Sequence, residues 1–152
     1  MGSRRQRDAA PTGPAVGTIA PDFKVRNLVT GEDVTLTSQH GKIVILTFWA
    51  SWCGPCKREL PILENAQRAV GKDKLVVFAV SYRDTPAALA AIKKPASNWQ
   101  INVMTDRNAR VAKHWPIQCR WRNMSRRNQR TECLQKFVIV YRYSSFATLD
   151  MW

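Results

Sequence analysis

Two runs of apolar residues stand out from an otherwise mixed chain. Residues 43–49 and 75–80 are almost wholly apolar and rich in β-branched side chains, the pattern of strands covered on both faces. Phe23, Val25 and Leu28 punctuate a polar stretch and predict a short strand over 23–28. Thr30-Gly31-Glu32-Asp33 is a turn signal, so Val34-Thr35-Leu36 is expected to pair back as a hairpin. Gly41 ends the connection to the first apolar run.

Between the two runs, Leu60, Leu63, Ala66 and Val70 recur at helical spacing. This helix begins at Pro55, a position that tolerates proline, and closes at Gly71. Pro61 falls inside it and predicts a kink. Strand, helix and strand in this order make a right-handed crossover the default. Thr85-Pro86 predicts the cap and first residue of a second helix. That helix carries Leu89 and Ile92 and is expected to end near Lys94, before Pro95. Residues 101–104 read as a short strand, and Asp106 as the cap of a helix carrying Val111, Ala112 and Trp115. Residues 137–143 read as a further strand at an edge of the sheet.

At 152 residues and 45% hydrophobic content, the chain fits one domain with a sizeable core. The net charge of +13 is uneven, and 118–152 is the densest basic segment, with seven basic and two acidic residues. Such a balance can attract nucleic acid, anionic membrane or acidic partners, but net charge speaks to non-specific association, and the favoured reading is a solvated charged surface. No nucleic-acid signature accompanies it, so no specific nucleic-acid partner is expected. No apolar run approaches the roughly 18 residues of a membrane span. Residues 1–17 are basic and then small and Pro/Gly-rich, which predicts a flexible leader without a signal peptide. The sequence as written therefore predicts a cytoplasmic location, or an extracytoplasmic one if an export signal lies upstream.

Composition does not name a chemistry, but Trp52-Cys53-Gly54-Pro55-Cys56 does. Two cysteines two residues apart, at a strand-to-helix junction, can close a small disulfide ring and reopen it by thiol exchange. A zinc site needs further ligands at matching spacing. Cys119, Cys133, His40 and His114 offer none, so no metal is expected. Cys53 falls at the helix N-terminus, where the dipole and free N–H groups favour a thiolate. It is expected to be exposed and to attack first. Cys56, one turn on, is expected to be more buried and to resolve the mixed disulfide. Trp52 would shield one side of the disulfide and offer an apolar docking surface. Gly54 and Pro55 would set the stiffness of the ring and its redox poise. Lys57 and Arg58 are expected in solvent, and His114 in a structural role. Cys119 and Cys133 read as incidental thiols, although pairing between them stays open.

Three stretches together resemble the TlpA/ResA branch of the thioredoxin superfamily: Ala20-Pro21-Asp22-Phe23, Gly41-Lys42, and Phe48-Trp49-Ala50-Ser51-Trp52-Cys53-Gly54-Pro55-Cys56-Lys57-Arg58-Glu59-Leu60-Pro61. The likeness covers about residues 18–117. It implies an α/β, thioredoxin-like, three-layer α/β/α sandwich with an N-terminal β-hairpin extension. It also implies thiol–disulfide oxidoreductase activity on protein thiols, with electrons exchanged with a partner dithiol protein and no bound cofactor; many members are extracytoplasmic. A monomer is expected. The resemblance further gives Glu59 a part in cysteine protonation, and a carboxylate near two thiols raises their pKa values and can relay a proton; the alternative reading is a solvated helix charge pairing with Lys57 or Arg58. The Thr-x-x-Cys of thiol peroxidases is missing, because position 50 is Ala.

The pattern breaks after about Gln118. Family members place a cis-proline loop beside the disulfide; Pro116 stands too early for it, and no proline follows. Residues 72–152 contain no glycine, so the expected final hairpin lacks its usual turn residue. The sequence therefore divides into a leader (1–17), a thioredoxin-like domain (18–117) and a divergent basic segment (118–152) that leaves the fold atypical or incomplete. That segment reads either as genuine divergence or as a tail translated out of frame or left by a truncated gene, and the abrupt loss of pattern favours the second. Two rival functions stand beside thiol exchange: a thioredoxin-like scaffold that binds without turnover, and an inactive fragment.

Overall fold

The computed structural model describes residues 20–82, 84–106, 110–112, 138–141 and 148–151, the last two stretches as backbone. Its strands are β1 (Lys24–Asn27), β2 (Asp33–Thr35), β3 (Ile43–Trp49), β4 (Leu75–Tyr82), β5 (Asn102–Asp106), β6 (Val138–Tyr141) and β7 (Thr148–Met151). The helices are α1 (Gly54–Val70) and α2 (Pro86–Ala96). The seven strands form one sheet in the order β2-β1-β5-β4-β3-β6-β7. β3, β4 and β5 are mutually parallel; the hairpin β1–β2 and the pair β6–β7 flank them antiparallel.

The apolar runs occupy the middle of the sheet, where a strand is covered on both faces. Every residue of β4 but the last is buried. Val76, Phe78 and Val80 point to one face, with Val44, Leu46 and Phe48 of β3. That face is closed by Ala20, Phe23, Leu36, Val111 and Ala112, and Phe23 meets Phe78 edge-on at 5.9 Å between ring centres. Val77 and Ala79 point to the other face, which takes Leu60, Leu63 and Ala66 of α1 and Ile92 and Ala96 of α2. The chain steps β3, β4, β5 in one direction and lays both helices on one face, as two crossovers of the same hand must.

The predicted hairpin forms, with Gly31 at φ 76° in its turn. Gly71, at φ 94°, ends α1, and its N–H bonds to the Gln67 carbonyl at 2.9 Å. α1 runs as one helix through Pro61, which leaves the Lys57 carbonyl without its intrahelical donor. Thr85 caps α2 by accepting the Ala88 N–H at 3.2 Å.

Two expectations are corrected. α2 does not stop before Pro95 but runs on to Ala96. Proline there removes a single bond, the Ser97 N–H closes the last turn on Lys93 and Lys94, and Ala96 is buried. The strand expected at an edge, now β6, is interior: it pairs with β3 on one side and β7 on the other. Its own residues cannot reveal this, because the covering strand β7 lies beyond it in sequence. Asp106 does receive backbone N–H groups, from Arg110 at 2.8 Å and Ala112 at 2.9 Å. Trp115, His114, Pro116, Cys119 and Cys133 lie outside the described residues. Among the described residues, no helix is long and apolar enough to cross a membrane.

Candidate functional site

The site is built where β3 ends and α1 begins. Trp49 is the last residue of β3, buried, with its indole N–H donating to the Ala79 carbonyl at 3.2 Å. The chain then turns tightly: the Cys53 N–H bonds back to the Ala50 carbonyl at 3.1 Å. Cys53 takes the N-cap position of α1 with extended backbone, and the Lys57 N–H bonds to its carbonyl. Pro55 lies in the first helical turn. One turn of helix brings Cys56 back over Cys53, and the two form a disulfide with their Cα atoms 5.4 Å apart.

The disulfide is closed off from solvent. Cys56 is 3% exposed, as expected, but Cys53 is only 4% exposed, which corrects its predicted exposure. Bonded to Cys56, it belongs to the buried cluster that holds Trp49, Ala50 and Leu60. Exposure passes instead to Trp52, at 40%. Gly54 is exposed, a Cβ there would meet nothing within 4 Å, and its φ is outside the left-handed region. The backbone does not require glycine at this position. Lys57 and Arg58 are exposed, as expected.

Glu59 follows Cys56 by three residues and so shares its helix face. The residue is half-buried, and its Oε2 is shut from solvent with no hydrogen-bond partner among the described residues. Burial raises its pKa above the usual carboxylate value, against the pull of the neighbouring Arg58.

One residue at the site was missed from the sequence. Asp84, just after β4, accepts the Ser51 N–H at 3.0 and 3.1 Å on its two oxygens, and takes hydrogen bonds from the hydroxyls of Ser51 and Ser81. The signal was faint but present: in parallel register Trp49 lies opposite Ser81, so whatever follows each strand meets at the carboxyl edge of the sheet, where α/β folds place their sites. Among the described residues, no group of three or more His, Cys, Asp or Glu is placed to hold a metal ion.

Comparison with known proteins places this geometry. Residues 16–141 match the sequence profile of the AhpC/TSA family, which extends past the point where the sequence resemblance fades. The chain is 36% identical over 85 residues to the thioredoxin-like protein YneN of Bacillus subtilis (strain 168), covering 56% of this chain and 49% of that protein. It is 40% identical over 70 residues to the thiol-disulfide oxidoreductase ResA of Geobacillus thermodenitrificans (strain NG80-2), covering 46% and 40%. The chain thus spans about half the length, or less, of these curated relatives. In solved structures it resembles the thioredoxin domain of a thiol-disulfide oxidoreductase from Bacteroides vulgatus, with a TM-score of 0.60, 20% identity, and coverage of 90% of this chain and 86% of that one. The fold is thioredoxin-like.

Proposed function

The chain belongs to the AhpC/TSA family, and on that premise we propose that it is a thiol–disulfide oxidoreductase working on protein thiols through Cys53 and Cys56. The observation that carries this reading is the Cys53–Cys56 disulfide at the N-terminus of α1, next to an exposed Trp52. In the reduced chain, the Cys53 thiolate attacks a substrate disulfide and expels one substrate thiolate. The Cys56 thiolate then attacks the Cys53 sulfur and expels the second. Two electrons leave the chain, and the Cys53–Cys56 bond forms. A partner dithiol reverses these steps and restores the reduced chain.

The residues around the pair fit those roles. The helix N-terminus stabilises the Cys53 thiolate. Trp52 presents apolar surface beside it for a docking peptide. Glu59, with its pKa raised by burial, takes and returns the Cys56 proton nearer neutrality than an ordinary carboxylate would. Gly54 and Pro55 shape the ring between the sulfurs. Ala50 stands where a peroxide-reducing site would carry threonine, so peroxide is not the proposed substrate. The burial of Cys53 favours a second reading, a scaffold that binds without turnover.

A redox titration of the purified chain in glutathione buffers, read by tryptophan fluorescence, separates the two. Thiol exchange gives a reversible two-electron transition that vanishes in Cys53→Ser. A wild-type disulfide that neither glutathione nor dithiothreitol buffers open and reform overturns the proposal.

A further inference from the structure

We propose that Asp84 is a positioning residue for the redox turn, one that sets how strongly the chain favours the closed Cys53–Cys56 disulfide. The inference rests on the reading of that pair as a redox centre. Its ground is the convergence of three donors on one carboxylate: the Ser51 N–H and the hydroxyls of Ser51 and Ser81.

The two cysteines are held very differently. Cys56 is fixed inside α1. Cys53 is held by the Ala50–Cys53 turn, whose internal bond runs from the Cys53 N–H to the Ala50 carbonyl. Such a turn has no internal acceptor for the N–H of its second residue, Ser51. Asp84 supplies that acceptor and takes the Ser51 hydroxyl as well. It also binds Ser81, which is 3% exposed and in register with Trp49 on the neighbouring strand. The turn is thereby tied to the rigid end of the sheet. Asp84 is not needed to start α2, because Thr85 already caps that helix.

Two consequences act in the same direction. A fixed turn keeps the Cys53 sulfur within bonding reach of Cys56, which raises the effective concentration of one thiol at the other. An anionic carboxylate near the turn also disfavours a Cys53 thiolate, while the neutral disulfide carries no such cost. Glu59 adds to this effect and the exposed Lys57 and Arg58 oppose it. Removing Asp84 therefore shifts the equilibrium toward the dithiol. In that equilibrium, two glutathione thiols reduce the Cys53–Cys56 bond, giving the dithiol and one glutathione disulfide.

The test measures this equilibrium constant by thiol alkylation in glutathione buffers, for the full chain and for Asp84→Ala, Asp84→Asn and Ser51→Ala. Urea unfolding of the oxidised and reduced forms of each accompanies it. Asp84→Ala is expected to weaken disulfide formation about tenfold, or about 30 mV for a two-electron couple, and to destabilise the oxidised form more than the reduced by the same factor. Asp84→Asn, which keeps an acceptor without the charge, recovers part of the loss. A merely structural role would weaken both forms equally and leave the constant within twofold, and that result overturns the inference. If Asp84→Ala does not fold, Ser51→Ala decides, since it removes one hydroxyl and nothing else: a two- to threefold shift toward the dithiol supports the proposal, and none overturns it. A wild-type chain without a reversible equilibrium brings down the redox reading itself, a result distinct from variants that leave a working equilibrium unmoved.

Discussion

The side-chain oxygen of Gln67 accepts the backbone N–H of Val77 at 2.7 Å, so a helix residue completes the hydrogen bonding of the central strand. β5 begins pairing one residue later, at Phe78 opposite Asn102. On that side Val77 has no strand neighbour, and the gap is filled by Gln67 at its N–H and by Asn102 at its carbonyl, 3.4 Å away. The Gln67 amide N–H₂ donates onward to the Gln100 carbonyl. A 1% exposed polar side chain is thus satisfied at both ends, and α1 is locked to the sheet that carries the site.

Gln67→Leu keeps the volume and removes both bonds. It strands a buried N–H and a carbonyl, each costing roughly 1–3 kcal/mol. The expected loss is about 2–4 kcal/mol in urea unfolding, with faster hydrogen exchange at Val77. A variant as stable as wild type would refute this account of the helix–sheet contact.

Glu64 makes the next tie, from the same helix. Burial alone would raise its pKa, but the N–H groups of Ile101 and Gln100 and the Arg68 guanidinium outweigh it and hold the carboxyl below its usual range. A lowered folded-state pKa stabilises above the unfolded value of 4.5 and is lost as pH falls through the folded one. Glu64→Gln should therefore cost stability at pH 7, on the order of 1.5–3 kcal/mol for hydrogen bonds to a charged group. The difference from wild type should shrink as the pH drops below 4.5, as unfolding across pH 3–7 will show.

Glu59 has the opposite sign. Its raised pKa means that the folded chain holds the proton more tightly than the unfolded one. The associated stability is present below 4.5 and is lost as pH rises through the folded value. Glu59→Gln should gain on wild type at neutral pH and lose that advantage in acid. It should also shift the pH profile of Cys56 alkylation in the reduced chain downward. An unchanged profile would remove Glu59 from the proposed proton path.

Gly54→Ala meets no steric obstacle, since a Cβ there touches nothing within 4 Å. Replacing glycine at a compatible site stabilises by about 0.4–1 kcal/mol through the unfolded chain. The variant should fold, form the same disulfide and melt higher. A shifted glutathione equilibrium with unchanged fold would show that this position tunes the poise of the ring rather than its formation.

The order β1 to β5, both helices and the cysteine pair were legible in the sequence, because each rests on local physics. Alternation and apolar runs specify strands, i and i+4 spacing specifies helices, and a strand-to-helix junction with Cys-x-x-Cys specifies its own ring. Tertiary structure decided the rest. Cys53 is buried in one apolar cluster with Leu75, Val77 and Ala79 of β4, residues far from it along the chain. β6 is interior because two other strands flank it. Gln67 and Asp84 look like ordinary polar residues until the sheet brings Val77 to one and Ser51 to the other. A carboxylate or amide acquires its role from its partners, and those here lie 10 and 33 residues away along the chain. Sequence therefore determined which chemistry this chain can carry, while the sheet's register decided which side chains hold that chemistry in place.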